Sequence, residues 1–142
     1  MEQRTAIAVF VKTPGHSPVK TRLAKSLGKE SAEGLYRLSV KSIEETLMTL
    51  WGRYSDRLAL YWAVKEYEAI DDLLWDRLPS FHSGGGDLGE CLHHVYAQLH
   101  LRFGQVILLG ADSPHIPAEV IMQADAMLRQ QKGFVAGPTH DG

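Results

Sequence analysis

The sequence predicts an α/β fold in three layers, α/β/α, around a mostly parallel sheet. Three observations lead there. Residues 5–11, 58–64 and 106–109 are short runs that are apolar almost throughout, as strands covered on both faces are. Segments with apolar residues at helical spacing lie between them. Strands and helices therefore alternate, the order that builds a parallel sheet with helices on each side.

Each element has its own signal. The first run contains Ile7, Val9, Phe10 and Val11 and is stopped by Pro14-Gly15. A short helix is expected to start near Lys20 and to end before Gly28, a residue suited to the position just past a helix end. Over residues 31–51, Leu35, Leu38, Ile43, Leu47, Leu50 and Trp51 are interleaved with Arg37, Lys41, Glu44 and Glu45. That pattern is an amphipathic helix, with Gly52 as its stop. After the second run, Tyr67, Ile70, Leu73 and Leu74 predict a helix over residues 66–78, ended by Pro79. Ser80-Phe81-His82 can form a short strand. Leu88, Leu92, Val95 and Leu99 give the stripe of the next helix, which is expected to run to about Phe103. Pro117 suits the first turn of another helix, with Val120, Ile121, Ala124, Met127 and Leu128 inside and Gly133 after it. Phe134-Val135-Ala136 predicts a further strand. No repeat, low-complexity tract or linker divides the chain, so residues 1–142 read as one domain.

Composition narrows the function. A charged fraction of 23% beside a hydrophobic fraction of 44% is that of an ordinary globular domain. The net charge of −2 argues against a general affinity for nucleic acid polymers. The cations of residues 12–22 are thus a local feature whose partner is expected to be a small anion. Cys91 is the single cysteine, which excludes an intramolecular disulfide; on the apolar side of its helix it reads as packed rather than nucleophilic. The first apolar run is too short to cross a membrane and lacks the cleavage region of a signal peptide. A cytoplasmic location without a membrane partner is expected.

In open parallel sheets, ligands bind beyond the carboxyl ends of the strands. Three polar sets fall at that edge: the loop with Lys12, Lys20 and Arg22; Asp112; and Asp141. The glycine loop at residues 84–86 can join them. The cations can neutralise a di- or triphosphate, and Arg22 can bind two oxygens at once; a solvated turn is the plain alternative. Lys20-Thr21 resembles the end of a phosphate-binding P-loop, but Pro14 and Val19 occupy its two glycine positions, so that motif is rejected. Asp112 follows a buried strand and precedes Ser113-Pro114, a place where a hard carboxylate suits Mg²⁺ or Mn²⁺ held with substrate phosphates; Asp-Ser-Pro is also good turn chemistry. Asp87-Leu88-Gly89-Glu90 matches a capping box, and the helix start behind it can still meet a ligand. Neighbouring His93 and His94 point about 100° apart on a helix and lack zinc-ligand spacing. Trp51, Trp62 and Trp75 are expected to serve packing.

The motifs Phe10-Val11-Lys12-Thr13-Pro14, Val19-Lys20-Thr21-Arg22-Leu23-Ala24, Gly86-Asp87-Leu88-Gly89-Glu90, Gly110-Ala111-Asp112-Ser113-Pro114, Gly137-Pro138 and Asp141-Gly142 occur in this order. Together they resemble those of a family of uncharacterised transferases with a glycosyltransferase-A, nucleotide-diphospho-sugar-transferase-like fold. Some of its members are assigned to glycosyl transfer in arsenosugar biosynthesis. The first loop is also similar to that of 2-phospholactate guanylyltransferases. The resemblance implies that Asp112 binds the metal and that Lys12, Lys20 and Arg22 face the nucleotide phosphates. It sets Asp87 and Asp141 near the cleft. Such families continue past the Asp-Gly pair, so the chain is expected to lack the C-terminal part of the fold.

The expected function is a metal-dependent transferase with Mg²⁺ or Mn²⁺ on Asp112. Lys20 and Arg22 would stabilise the departing diphosphate or pyrophosphate. A nucleotide-sugar donor is favoured by the resemblance alone, with a small-molecule acceptor. Nucleotidyl transfer from a nucleoside triphosphate and a non-catalytic nucleotide-binding domain are the alternatives. His140 and Asp141 are the nearest candidates for a base.

Overall fold

The first strand is the axis of the sheet. In the computed structural model, which describes residues 2–17, 25, 27–111 and 118–131, the strands are β1 (Glu2–Val11), β2 (Leu58–Val64), β3 (Ser80–His82) and β4 (Phe103–Gly110). They form one sheet in the order β3-β2-β1-β4, and all its pairings are parallel. Three helices flank it among the described residues: α1 (Lys29–Tyr54), α2 (Leu88–His100) and α3 (Ala118–Gln131). The predicted three-layer α/β class is thus the fold observed. The predicted helix between Lys20 and Gly28 and the strand at residues 134–136 fall mostly or wholly outside the described residues.

The continuous apolar runs have a direct explanation. Ala6, Ile7, Ala8 and Val9 are all 0% exposed, because β1 has strands on both sides and helices on both faces. One face presents Ile7, Val9 and Val11 with Leu58, Leu60, Trp62 and Val64 to α1 and α3. The other presents Ala6, Ala8, Ala59 and Ala63, small side chains that let Val95 and Leu99 of α2 approach closely. Each large aliphatic side chain buried this way contributes about 1.5–3 kcal/mol.

Four expectations need correction. Residues 66–78 do not form a helix; they form two 3₁₀ turns, Tyr67–Ala69 and Leu73–Trp75. Sheet register supplies the reason. Ser80 pairs with Trp62 and His82 with Val64, so β3 lies beside the C-terminal half of β2 and the chain retreats by only a few residues. A full crossover helix would overshoot. Asp72 caps the second turn through Leu74 N (2.9 Å), and Tyr67 and Leu73 stay exposed.

The inward face of α1 is Ala32, Tyr36, Val40, Ile43, Leu47 and Leu50, rather than one containing Leu35, Leu38 and Trp51, all of which are exposed. On α3, Ile121 and Leu128 are buried as expected, but Val120 and Met127 are exposed and Asp125 is the residue at 0%. That carboxylate sits at the amino-terminal edge of the sheet. Arg57 reaches it at 3.3 Å and Arg129 at 3.1 Å and 3.2 Å, and the Thr5 hydroxyl donates to it. A buried carboxylate needs such partners to remain charged. Phe103, expected at the end of a helix, is instead the fully buried first residue of β4.

Candidate functional site

Because the strands are parallel, their carboxyl ends share one edge. The chain moves outward from β1 through β2 to β3, then returns to place β4 on the opposite flank of β1. Ligands of open α/β sheets bind where the strand order reverses in this way. The reversal lies between β1 and β4, whose ends are matched by the pairing of Phe10 with Gly110.

The exit from β1 is tightly held. Lys12 N donates to the Tyr36 hydroxyl (2.8 Å), and Thr13 N donates to Oε1 of Glu66 (2.8 Å). The Thr13 hydroxyl accepts from Trp75 Nε1 (3.0 Å), and the Thr13 carbonyl closes a turn by accepting from His16 N and Ser17 N. Thr13 is buried, whereas Lys12 is exposed. These bonds have a chemical consequence. The amides of Lys12, Thr13, His16 and Ser17 are engaged within the chain, and Pro14 has none to offer. The described part of the loop leaves at most the Gly15 amide for a ligand, too few N–H groups to cradle a phosphate as a P-loop does. An anion here would be bound by side-chain cations, and Lys12 is placed to be one.

Lys65 links this loop to the next one. Its backbone N–H donates to Val11 O (3.0 Å), and its ammonium donates to Gly86 O (2.9 Å). Beyond β3 the chain turns through Gly84 (φ 96°) and Gly86 (φ 97°), a left-handed conformation that L side chains rarely adopt. Added Cβ atoms would also lie 2.9 Å from the His94 ring and 2.7 Å from the Glu90 carboxyl. Asp87 then starts α2: its Oδ1 accepts from Glu90 N (2.9 Å), and Glu90 Oε1 accepts from Asp87 N (3.3 Å). The capping box is formed as the sequence predicts. An open cleft of about 610 Å³ lies here, lined by Gly84, Gly85, Asp87, Glu90, His93 and His94. Cys91 is packed as expected, 3% exposed, with its Sγ 3.4 Å from Gly84 O.

Of the sequence-predicted site residues, Lys12 and Asp87 stand at this edge, while Lys20, Arg22, Asp112 and Asp141, like His140, lie outside the described residues. Among the described residues no group of three or more His, Cys, Asp or Glu side chains is arranged to hold a metal ion. No described helix is long and apolar enough to cross a membrane. Sequence reading missed Tyr36, Lys65 and Glu66. The rule that selects Asp112, a carboxylate just past a buried strand, applies equally to Glu66, two residues beyond Val64. Trp75 packs against Trp62 with ring centroids 5.1 Å apart, as expected of a core residue, but its indole N–H is also a tether.

Comparisons with known proteins agree with this fold. Residues 48–142 match the family described as "Uncharacterized protein conserved in bacteria (DUF2064)". The chain is similar to a crystal structure from Desulfovibrio desulfuricans G20, provisionally named a nucleotide-diphospho-sugar transferase, with 27% identity and a TM-score of 0.74. The similarity covers 89% of this chain and 55% of that one, so the chain spans little more than half the length of that protein. No curated protein matches the chain.

Proposed function

The chain belongs to the DUF2064 family of bacterial proteins, and we propose that it forms the donor-binding part of a metal-dependent transferase that uses a nucleotide-sugar. The carrying observation is the reversal of strand order at β1, which brings the Lys12 loop and the end of β4 to one place on the carboxyl edge. The likeness to the D. desulfuricans protein supports a nucleotide-sugar as the ligand of that edge.

In this reading Lys12, Lys20 and Arg22 meet the diphosphate, where their charge offsets the negative charge that develops as the sugar departs. Asp112 follows Gly110 by two residues, the same step by which Lys12 follows Phe10, the register partner of Gly110. Its carboxylate is a hard oxygen ligand that would hold Mg²⁺ or Mn²⁺ together with the donor phosphates. When bound, the metal would supply further neutralisation of the diphosphate. In the reaction the bond from the anomeric carbon to the diphosphate oxygen breaks. An acceptor oxygen bonds to that carbon and gives up its proton, with His140 or Asp141 as candidate bases. The cleft by Gly84 and Asp87 would take another part of the donor.

Calorimetry with UDP- and GDP-sugars, with and without Mg²⁺, tests the reading. Mg²⁺-dependent binding is expected, weakened roughly tenfold by Lys12→Ala, the loss of one charge-assisted contact. Release of nucleoside diphosphate, followed by mass spectrometry, should accompany transfer to an acceptor. Binding indifferent to Mg²⁺ would remove the metal, and pyrophosphate release from a nucleoside triphosphate would replace glycosyl by nucleotidyl transfer. If no nucleotide binds, the reading is wrong.

A further inference from the structure

We infer that Glu66 is a positioning residue, whose buried carboxylate fixes the backbone at Thr13, beside Lys12, and thereby sets the affinity of this edge for a nucleotide diphosphate. The inference rests on the nucleotide-binding reading above and deepens it.

Three side chains from different parts of the fold converge on two consecutive residues. Tyr36 of α1 accepts from Lys12 N at 2.8 Å. Glu66, just past β2, accepts from Thr13 N at 2.8 Å. Trp75, in the second 3₁₀ turn, donates to the Thr13 hydroxyl at 3.0 Å. A chain leaving a strand normally retains freedom of direction; here both residues after Val11 are fixed before the exposed Lys12 side chain is presented. Glu66 is 7% exposed, and its Oε2 is buried without a hydrogen-bond partner among the described residues. A carboxylate is a costly way to satisfy one amide. Its position beside the loop, 53 residues away in sequence from the amide it holds, joins β2 to the loop after β1.

The geometry separates this role from a role for the charge itself. Glu66→Gln keeps the Oε1 acceptor and replaces only the oxygen that has no partner. Glu66→Ala removes the acceptor. Binding of UDP and of GDP, each with Mg²⁺, is measured by calorimetry well below the unfolding midpoint of each variant, beside amide hydrogen exchange at Thr13. Glu66→Ala should weaken the diphosphates about tenfold or more and speed exchange at Thr13; Glu66→Gln should stay within about threefold of the parent on both readouts. Tyr36→Phe, which leaves the ring packing in place, should weaken binding by a smaller factor and serves if Glu66→Ala does not fold. Unchanged affinity in both Glu66→Ala and Tyr36→Phe, with only a lower midpoint, would make the network merely structural and overturn the inference. So would a Gln variant as defective as the Ala variant, since that would assign the effect to the charge. If the parent binds neither diphosphate, the nucleotide reading falls, and Thr13 exchange alone decides whether Glu66 holds the loop.

Discussion

Two buried carboxylates at opposite edges of the sheet are treated in opposite ways. Asp125, at the amino-terminal edge, is 0% exposed and meets Arg57, Arg129 and the Thr5 hydroxyl, so both of its oxygens are occupied. Glu66, at the carboxyl edge, is 7% exposed and receives one backbone amide, with its second oxygen unpartnered among the described residues. Glu44, on α1, is likewise paired with cations: it is 2% exposed and one of its oxygens meets Arg77 at 2.9 Å and Lys41 at 3.3 Å. The amino-terminal edge is closed by groups that satisfy each other and serves stability. The carboxyl edge keeps a buried acceptor, an exposed lysine and a glycine turn at positive φ, a distribution better suited to binding than to stability.

The contrast can be broken first at its stable end. Replacing both Arg57 and Arg129 by Ala leaves Asp125 as a buried charge without a cation, which should cost about 3–5 kcal/mol in urea unfolding. Nucleotide affinity of the folded fraction should not change; a loss below 1 kcal/mol would mean that Asp125 is not held as a charge-paired lock. A smaller effect is expected at the carboxyl edge. Gly86→Ala forces a side chain into positive φ and against Glu90, for a cost of about 1–3 kcal/mol. Unlike the arginine changes, it should also alter nucleotide affinity, and unchanged affinity would remove this turn from the site. Asp87→Ala deletes the cap of α2 and should cost about 1 kcal/mol, seen as a lower unfolding midpoint; a drop in affinity beyond that loss would give Asp87 a contact with the ligand.

The smallest expected effect is a pH dependence. Arg77, hydrogen-bonded to Glu45 at 2.7 Å, holds the Glu45 carboxyl below the usual carboxylate range. A carboxyl with a lower pKa when folded binds fewer protons in the native state. The contact therefore stabilises the fold above the ordinary glutamate pKa and is lost as pH falls through the depressed value. The midpoint difference between the parent and Glu45→Gln should accordingly shrink on acidification. A constant difference would show that the ion pair is not its source.

How much of this was legible in the sequence depends on the range of the interaction. The runs at β1 and β2 and the capping box at Asp87 follow from neighbouring residues, whose pattern fixes local structure. The N-terminal half of α1 shows where that fails. Leu35 and Leu38 attract attention as apolar, yet Ala32, Tyr36 and Val40 face inward, because the helix is rotated to fit the strands beneath it. At Asp125 a polar residue takes a core position because two arginines reach it, one of them 68 residues away in sequence.

The sequence by itself determined the α/β class, the succession of its strands and the edge on which chemistry is expected, since apolar period and turn residues act over a few positions. Only the tertiary structure decided that residues 66–78 form two short turns, because the pairing of β3 with the end of β2 sets how far the chain must travel. It also decided that Glu66 and Tyr36 hold the first loop, through contacts between segments that approach only once the sheet has formed.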